Sequence, residues 1–303
     1  MTMIEFREVS KRFGKVEALK NASFEIPENT VTAFLGPNGA GKTTSMKLIM
    51  GFLKPSKGAV LVWGEEPWRN ESIRSRIGYL PEKPVYPMDL TVEDFLSHLA
   101  GLRRLGRADV ERVSRLVGLE KLMDRKIRSL SRGYLQRVGI AQSLLGEPEL
   151  LILDEPTANL DPAARREILD VLKVLHKELK VSMIISSHII PELQELSNYA
   201  IFIDKGTVLD YGYLNDLWRK YSVETVFTIE ATDIETVAKQ LIEKPFVHAI
   251  KRVSSGTLEV SIDPSHFKVF EALLTEINHK IRRYEFKTAN LGDLYEKIVK
   301  SKP

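Results

Sequence analysis

The strongest limit on what this chain can fold into is one run of eight residues, Gly36-Pro37-Asn38-Gly39-Ala40-Gly41-Lys42-Thr43. It fits the phosphate-binding loop pattern, which requires a strand before it and a helix after it. Both are expected here: Val31 to Leu35 is a continuous apolar run, and a helical pattern opens at Lys42. Glycines let successive backbone N–H groups turn inward around phosphate oxygens, and the free donors and dipole of the helix N-terminus favour the same anion. Lys42 can place its ammonium between β- and γ-phosphates, the Thr43 hydroxyl can ligate Mg²⁺, and Thr44 continues the cradle.

A second run supplies what such a loop lacks. Leu150-Leu151-Ile152-Leu153 is an apolar strand that ends in two carboxylates, Asp154 and Glu155. Asp154 can hold Mg²⁺ through water, and Glu155 can polarise an attacking water. A buried strand ending in acids is commonplace by itself; beside a phosphate loop it points to hydrolysis of a nucleoside triphosphate.

Around these runs the chain up to about residue 217 alternates short apolar stretches with helical patterns. Val31 to Leu35, Leu150 to Leu153 and Val181 to Ile185 read as strands buried on both faces, which predicts an α/β domain with a largely parallel sheet. Thr91 with Asp94 reads as a capping box for a helix through Leu102, and Asp161-Pro162 as N-cap and first-turn proline of a helix to about Leu179. From about 84 to 145 the reading is helical with little strand signal, an inserted helical subdomain. Beyond Trp218 the pattern changes. Strand Val223 to Glu230, helix around Ile234 to Ile242, hairpin Val247 to Val253 with Leu258 to Ile262, helix after Asp263-Pro264, strand Ile281 to Lys287 and helix Leu291 to Val299 come in turn. The order βαββαβ predicts a small ferredoxin-like α+β domain over 218–303.

Composition removes other classes of function. The net charge is +3, from 44 basic and 41 acidic residues, so electrostatics make no case for nucleic acid. The cluster Arg103, Arg104, Arg107 reads as a solvated helix face. There is no cysteine, which excludes disulfides and thiolate chemistry. The N-terminus MTMIEFREVS lacks the apolar core of a signal peptide, and no apolar run approaches the roughly 18 residues a membrane helix needs. Direct membrane insertion is not expected.

Taken together, these motifs make the chain resemble the ABC ATPase family over about residues 3 to 215. Further segments fall in the family's order. Leu130-Ser131-Arg132-Gly133-Tyr134 looks like the signature motif, Leu160-Asp161 like the D-loop, and His188 in Ser186-Ser187-His188 like the switch histidine. Phe13 sits where the family places an aromatic against adenine, and Gly78-Tyr79-Leu80-Pro81-Glu82 occupies the Q-loop position. Each has a plain alternative when taken alone: Ser131 and Asp161 as helix N-caps, His188 as a loop histidine, Phe13 as core.

The resemblance implies a P-loop NTPase fold with an N-terminal antiparallel β-subdomain, Mg²⁺-dependent ATP hydrolysis, and Glu155 and His188 as catalytic groups. It implies nucleotide contacts from Phe13, Glu82, Ser131, Gly133 and Asp161 besides the cradle, and Mg²⁺ contacts from Thr43, Asp154 and Glu82. Two ATPs are then held head to tail between two copies, each signature helix meeting the other copy's γ-phosphate. The expected partners are that second copy and an integral-membrane permease, with no nucleic acid, in a cytoplasmic protein peripheral to the membrane. Two departures stand out. Glu82 replaces the family's glutamine and adds negative charge beside the γ-phosphate. Arg132 and Tyr134 replace the signature's first glycine and its glutamine, and Arg132 could either add a cation near phosphate or face solvent. Signatures of this type and a C-terminal extension of this size resemble the branch serving ABC-2 exporters. The alternative is a soluble ABC ATPase acting on nucleic acid or ribosomes, though neither a second ATPase half nor a long coiled-coil insertion is present.

Overall fold

The computed structural model describes residues 1–287 and 289–301. Its elements, in chain order, begin with β1 (Thr2–Phe13), β2 (Val16–Pro27), β3 (Val31–Leu35), α1 (Lys42–Ile49), β4 (Lys57–Val62), α2 (Glu71–Ser75) and β5 (Ile77–Leu80). Three helices come next, α3 (Val92–Leu102), α4 (Arg107–Val117) and α5 (Arg132–Leu144). The alternation resumes with β6 (Leu150–Asp154), α6 (Pro162–Leu179), β7 (Ser182–Ser186), α7 (Ile190–Leu196), β8 (Tyr199–Asp204) and β9 (Thr207–Tyr213). The last stretch holds α8 (Leu214–Lys220), β10 (Thr225–Ala231), α9 (Ile234–Ile242), β11 (Val247–Ser254), β12 (Thr257–Ile262), α10 (Phe267–Glu276), β13 (Ile281–Lys287) and α11 (Leu291–Ser301).

Two compact units result, Met1–Tyr211 and the residues from Gly212 onward. The division comes before α8, whereas 217 would cut that helix in the middle. Physically α8 belongs to the second unit: Arg219 lies 3.5 Å from the buried Asp263 carboxylate. Of the expected 218–303 segment, Thr288, Lys302 and Pro303 lie outside the described residues.

In the first unit, a six-stranded sheet runs β5-β6-β7-β3-β8-β9. Its neighbours from β5 through β8 pair in parallel. Every residue of β3, β6 and β7 is buried, which is why these strands read as unbroken apolar runs. The antiparallel sheet β2-β1-β4 is built from the first hairpin. Phe6 and Phe24 stack across it with centroids 4.1 Å apart, and Phe34 of β3 meets Phe24 edge-on at 6.0 Å, so the two sheets share one core. The helices α3 to α5 occupy the expected insertion. Arg103, Arg104 and Arg107 do not form one helix face. They straddle the turn between α3 and α4, where Arg103 donates to the Leu145 carbonyl and Arg107 pairs with Glu111 at 2.8 Å.

The second unit has the sheet order β11-β12-β10-β13, all antiparallel, which with the βαββαβ sequence is the ferredoxin-like arrangement. Strict alternation in β10 buries Thr225, Phe227, Ile229 and Ala231. Phe227 packs against Phe270 of α10 at 4.6 Å.

Candidate nucleotide-binding site

The parallel strands β3, β6 and β7 all end at one edge of the sheet, and the chemistry-bearing residues come directly after those ends, where ligands of open α/β sheets bind. After β3 the chain turns through residues 36–41 into α1. Gly41 is that helix's N-cap at φ 111°, a left-handed conformation. A Cβ there would lie 2.8 Å from Leu19 Cδ2 and 2.9 Å from the Ala18 carbonyl, so the position has neither the backbone freedom nor the room for a side chain. Lys42, buried, donates from Nζ to the Gly36 carbonyl at 2.7 Å and to the Pro37 carbonyl at 3.1 Å. Burial lowers its pKa, against the pull of Glu155 and Asp154. Its ammonium therefore sits at the loop with little hydration to lose.

At the end of β6, Asp154 is held on both oxygens. Thr43 donates to Oδ2 at 3.2 Å and Ser186, at the end of β7, to Oδ1 at 2.5 Å. Glu155 comes next with φ 53° and its backbone N–H donates to Ser186 Oγ at 3.2 Å. Its carboxylate meets His188 twice: the His188 N–H donates to Oε2 at 3.2 Å and Nε2 stands 3.2 Å from Oε1. Burial raises the Glu155 pKa, His188 and Lys42 oppose that, and the neighbouring Asp154 adds to it. A carboxylate that holds its proton more tightly than usual is a stronger base once ionised.

A cleft of about 160 Å³ gathers Ala18, Asn38, Gly39, Gly41, Lys42, Thr43, Thr44, Glu82, Asp154, Glu155 and His188. The structure thus brings together most of the residues singled out from sequence. Gly36, Pro37 and Ala40 belong to the same loop without lining the cleft. Phe13 lies at the end of β1, 46% exposed, with Lys11 Nζ 5.1 Å from its ring centre, outside the cleft. Ser131, Gly133 and Asp161 also stand outside it. Ser131 caps α5 by accepting from the Tyr134 N–H, and Asp161 caps α6 by accepting from Ala163 and Ala164 at 3.0 Å. These two helix ends adjoin: a Cβ on Gly133 would lie 3.0 Å from the Ala164 Cβ. Arg132 is exposed on the first turn of α5.

The oxygen donors suit a hard cation. Among the described residues no three His, Cys, Asp or Glu side chains converge to hold a metal by themselves. Thr43 Oγ1 and the Asp154 carboxylate would occupy part of an octahedron and leave the rest to phosphate and water, the arrangement Mg²⁺ prefers.

Two functional positions escape a reading of the sequence. Ser186 reads only as flanking context for His188, yet it orients Asp154 and the Glu155 backbone. Ala18 reads as one residue of a hairpin, but the packing of β2 on Gly41 puts it at the cleft.

Residues 19–158 match the family described as ABC transporter. Over 304 residues the chain is 33% identical to the uncharacterised ABC transporter ATP-binding protein YxlF of Bacillus subtilis (strain 168), covering 98% of this chain and 99% of that protein. The chain belongs to the ABC transporter ATP-binding protein family. This ATP-binding subunit is also 33% identical over 306 residues to the bacitracin transport ATP-binding protein BcrA of Bacillus licheniformis, covering 98% of this chain and 97% of that protein. Among solved structures it resembles the ATP-binding cassette MJ0796, described as a dimeric, post-hydrolysis state bound to ADP and Pi, at a TM-score of 0.62 and 26% identity over 70% of this chain and 99% of that one. The chain is the ATP-binding, ATP-hydrolysing subunit of an ABC transporter. Among the described residues no helix is long and apolar enough to cross a membrane.

Proposed function

We propose that this subunit drives an exporter: two copies close head to tail on two Mg-ATP while docked on the cytoplasmic side of an integral-membrane permease. The observation that carries the reading is a site divided in space. Cradle, Asp154, Glu155 and His188 line one cleft, while the capped N-terminus of α5 with Ser131 and Gly133, beside that of α6 with Asp161, lies outside it. A helix N-terminus offers free donors to an anion, and a second copy is the partner that would bring its cleft to them. The dimer described for MJ0796 with ADP and Pi supports this closure. Each ATP then bridges two subunits, and its hydrolysis removes the bridge.

Within each cleft the roles derive from chemistry. Lys42 and the loop N–H groups bind the β- and γ-phosphates. Thr43, Asp154 and Glu82 would hold Mg²⁺, which when bound neutralises charge developing on the phosphates. Glu155 orients and takes a proton from the attacking water, and His188 holds that carboxylate in place. Phe13, exposed at a strand end, stacks on the adenine ring. The likeness to BcrA runs through the second unit as well as the first and supports the exporter branch; the near-neutral charge gives the nucleic-acid alternative no support.

The test is recovery from the chain's own cell. Tagged, carried through high-salt washing of membranes and gentle solubilisation, it is expected to bring down a stoichiometric multi-span protein. Recovery in the soluble fraction with ribosomes or nucleic acid overturns the transport reading while leaving the ATPase chemistry intact.

A further inference from the structure

The segment linking β6 to α6 is held in an unusual backbone. Glu155 at φ 53° occupies the left-handed region that residues other than glycine rarely adopt, and Asn159, a residue that enters it more readily, follows at φ 60°. Such conformations persist only where the surroundings over-determine them. Here the surroundings include a buried polar hub. Thr157, fully buried two residues after Glu155, donates its hydroxyl to Oε2 of Glu192 on α7. Glu192 is 6% exposed, and its Oε1 faces Arg165 Nε of α6 at 3.0 Å. Neither of those two atoms has a hydrogen-bond partner among the described residues, so each is left to the other's charge. Arg165 also donates from Nη2 to the Leu160 carbonyl at 3.3 Å, next to Asp161.

This hub ties three pieces of backbone together: the turn after Glu155, the residue before Asp161, and the helix that begins two residues beyond His188. The cradle hangs separately from β3 and α1, and none of its hydrogen bonds among the described residues runs to Glu192. We infer that Glu192 is a positioning residue for ATP hydrolysis: through Thr157 and Arg165 it holds the left-handed turn that places Glu155 against His188, without touching nucleotide. The inference rests on the roles proposed above for Glu155 and His188. Without Glu192 the turn is released, the 3.2 Å contacts between Glu155 and His188 loosen, and the attacking water loses its orientation while the phosphates remain bound.

The purified full-length chain decides this by comparing steady-state turnover with ATP affinity, the latter titrated with magnesium withheld. Glu192→Ala is expected to lose at least about tenfold in kcat with affinity within about twofold of the parent, since a misplaced catalytic group costs rate and not binding. Glu192→Gln, which keeps an acceptor for Thr157 but loses the charge facing Arg165, recovers part of that loss. Parental kcat in Glu192→Ala overturns the inference; so does a parallel fall in kcat and affinity, or a glutamine variant no better than alanine. Should Glu192→Ala fail to fold, Thr157→Val decides: lowered kcat at parental affinity supports the role and parental kcat overturns it. Glu155→Gln separates the two levels. If that variant turns over ATP at the parental rate, the role of Glu155 falls and takes the inference with it; if it is inactive while Glu192→Ala is parental, only the positioning role falls.

Discussion

At the scale of single residues, Glu155 concentrates the cost of function. Its carboxylate is buried, its backbone is left-handed, and its pKa is raised chiefly by lost solvation. A carboxyl whose folded pKa exceeds its unfolded value subtracts stability as pH rises. Below about pH 4.3 both states hold the proton and nothing is lost; above it the unfolded chain ionises freely while the folded one resists. Glu155→Gln is therefore expected to melt at a higher temperature than the parent at pH 7, with the difference vanishing near pH 4 in a thermal melt. The same shift places the acid limb of the kcat/KM profile above the ordinary glutamate range, because the base must be ionised to act. Asp154 and Glu155 are legible in sequence because a strand ending in acids after a phosphate loop leaves few other uses. Ser186 is not, since a serine in a strand carries no signal of which carboxylate it will meet. Thr157 and Glu192 are silent for the same reason: they lie thirty-five positions apart in the chain and are joined only by the fold.

At the scale of elements, α5 shows how a helix is seated as well as formed. Ser131 caps it, and its buried face carries Val138, Ile140, Ala141 and Leu144. Tyr86, in the segment after Glu82, lies across it, donating its hydroxyl to the Leu135 carbonyl at 3.0 Å and meeting Phe95 edge-on at 5.8 Å. Gly139 makes the space for that ring. A Cβ there would stand 2.5 Å from the Tyr86 oxygen and 2.6 Å from Leu80 Cδ1. Gly139→Ala gains about 1 kcal/mol of helix propensity yet overpacks this seam at about 1–3 kcal/mol, and the net expectation is a loss of up to about 2 kcal/mol by chemical denaturation. An alanine variant more stable than the parent by the full propensity gain of about 1 kcal/mol would show that the seam can open at no cost. Element boundaries are easiest to read where a cap announces them. Thr91 and Asp161 mark the starts of α3 and α6, with Asp94 binding the Thr91 hydroxyl at 2.7 Å. A boundary at 217 falls inside α8 because that helix opens on Tyr213, with none of the Ser, Thr, Asp or Asn caps that announce a helix start in sequence.

At the scale of the whole molecule, the first unit has a complete phosphate cleft and, elsewhere on its surface, two adjoining helix ends outside it. The expected outcome is that Glu155→Gln with Mg-ATP sediments as a dimer while the same variant without nucleotide does not, and that adding Lys42→Ala abolishes the shift. A monomer under saturating Mg-ATP would argue against closure on two nucleotides.

The order of phosphate loop, apolar strand with paired acids, and capped helices determined the fold class, because each is a local pattern with a local cause. Glycine freedom, burial on both faces and side-chain capping act within a few residues. The central strands of the second unit were legible for the same reason: β10 and β12 alternate and bury one face each, whereas the outer strands β11 and β13 bury none of their residues. Tertiary structure alone decided which strand ends share an edge, that Glu155 is turned onto His188, and that Thr157, Glu192 and Arg165 meet beneath them. Those contacts join residues distant in the chain, and they depend on packing that no local preference encodes.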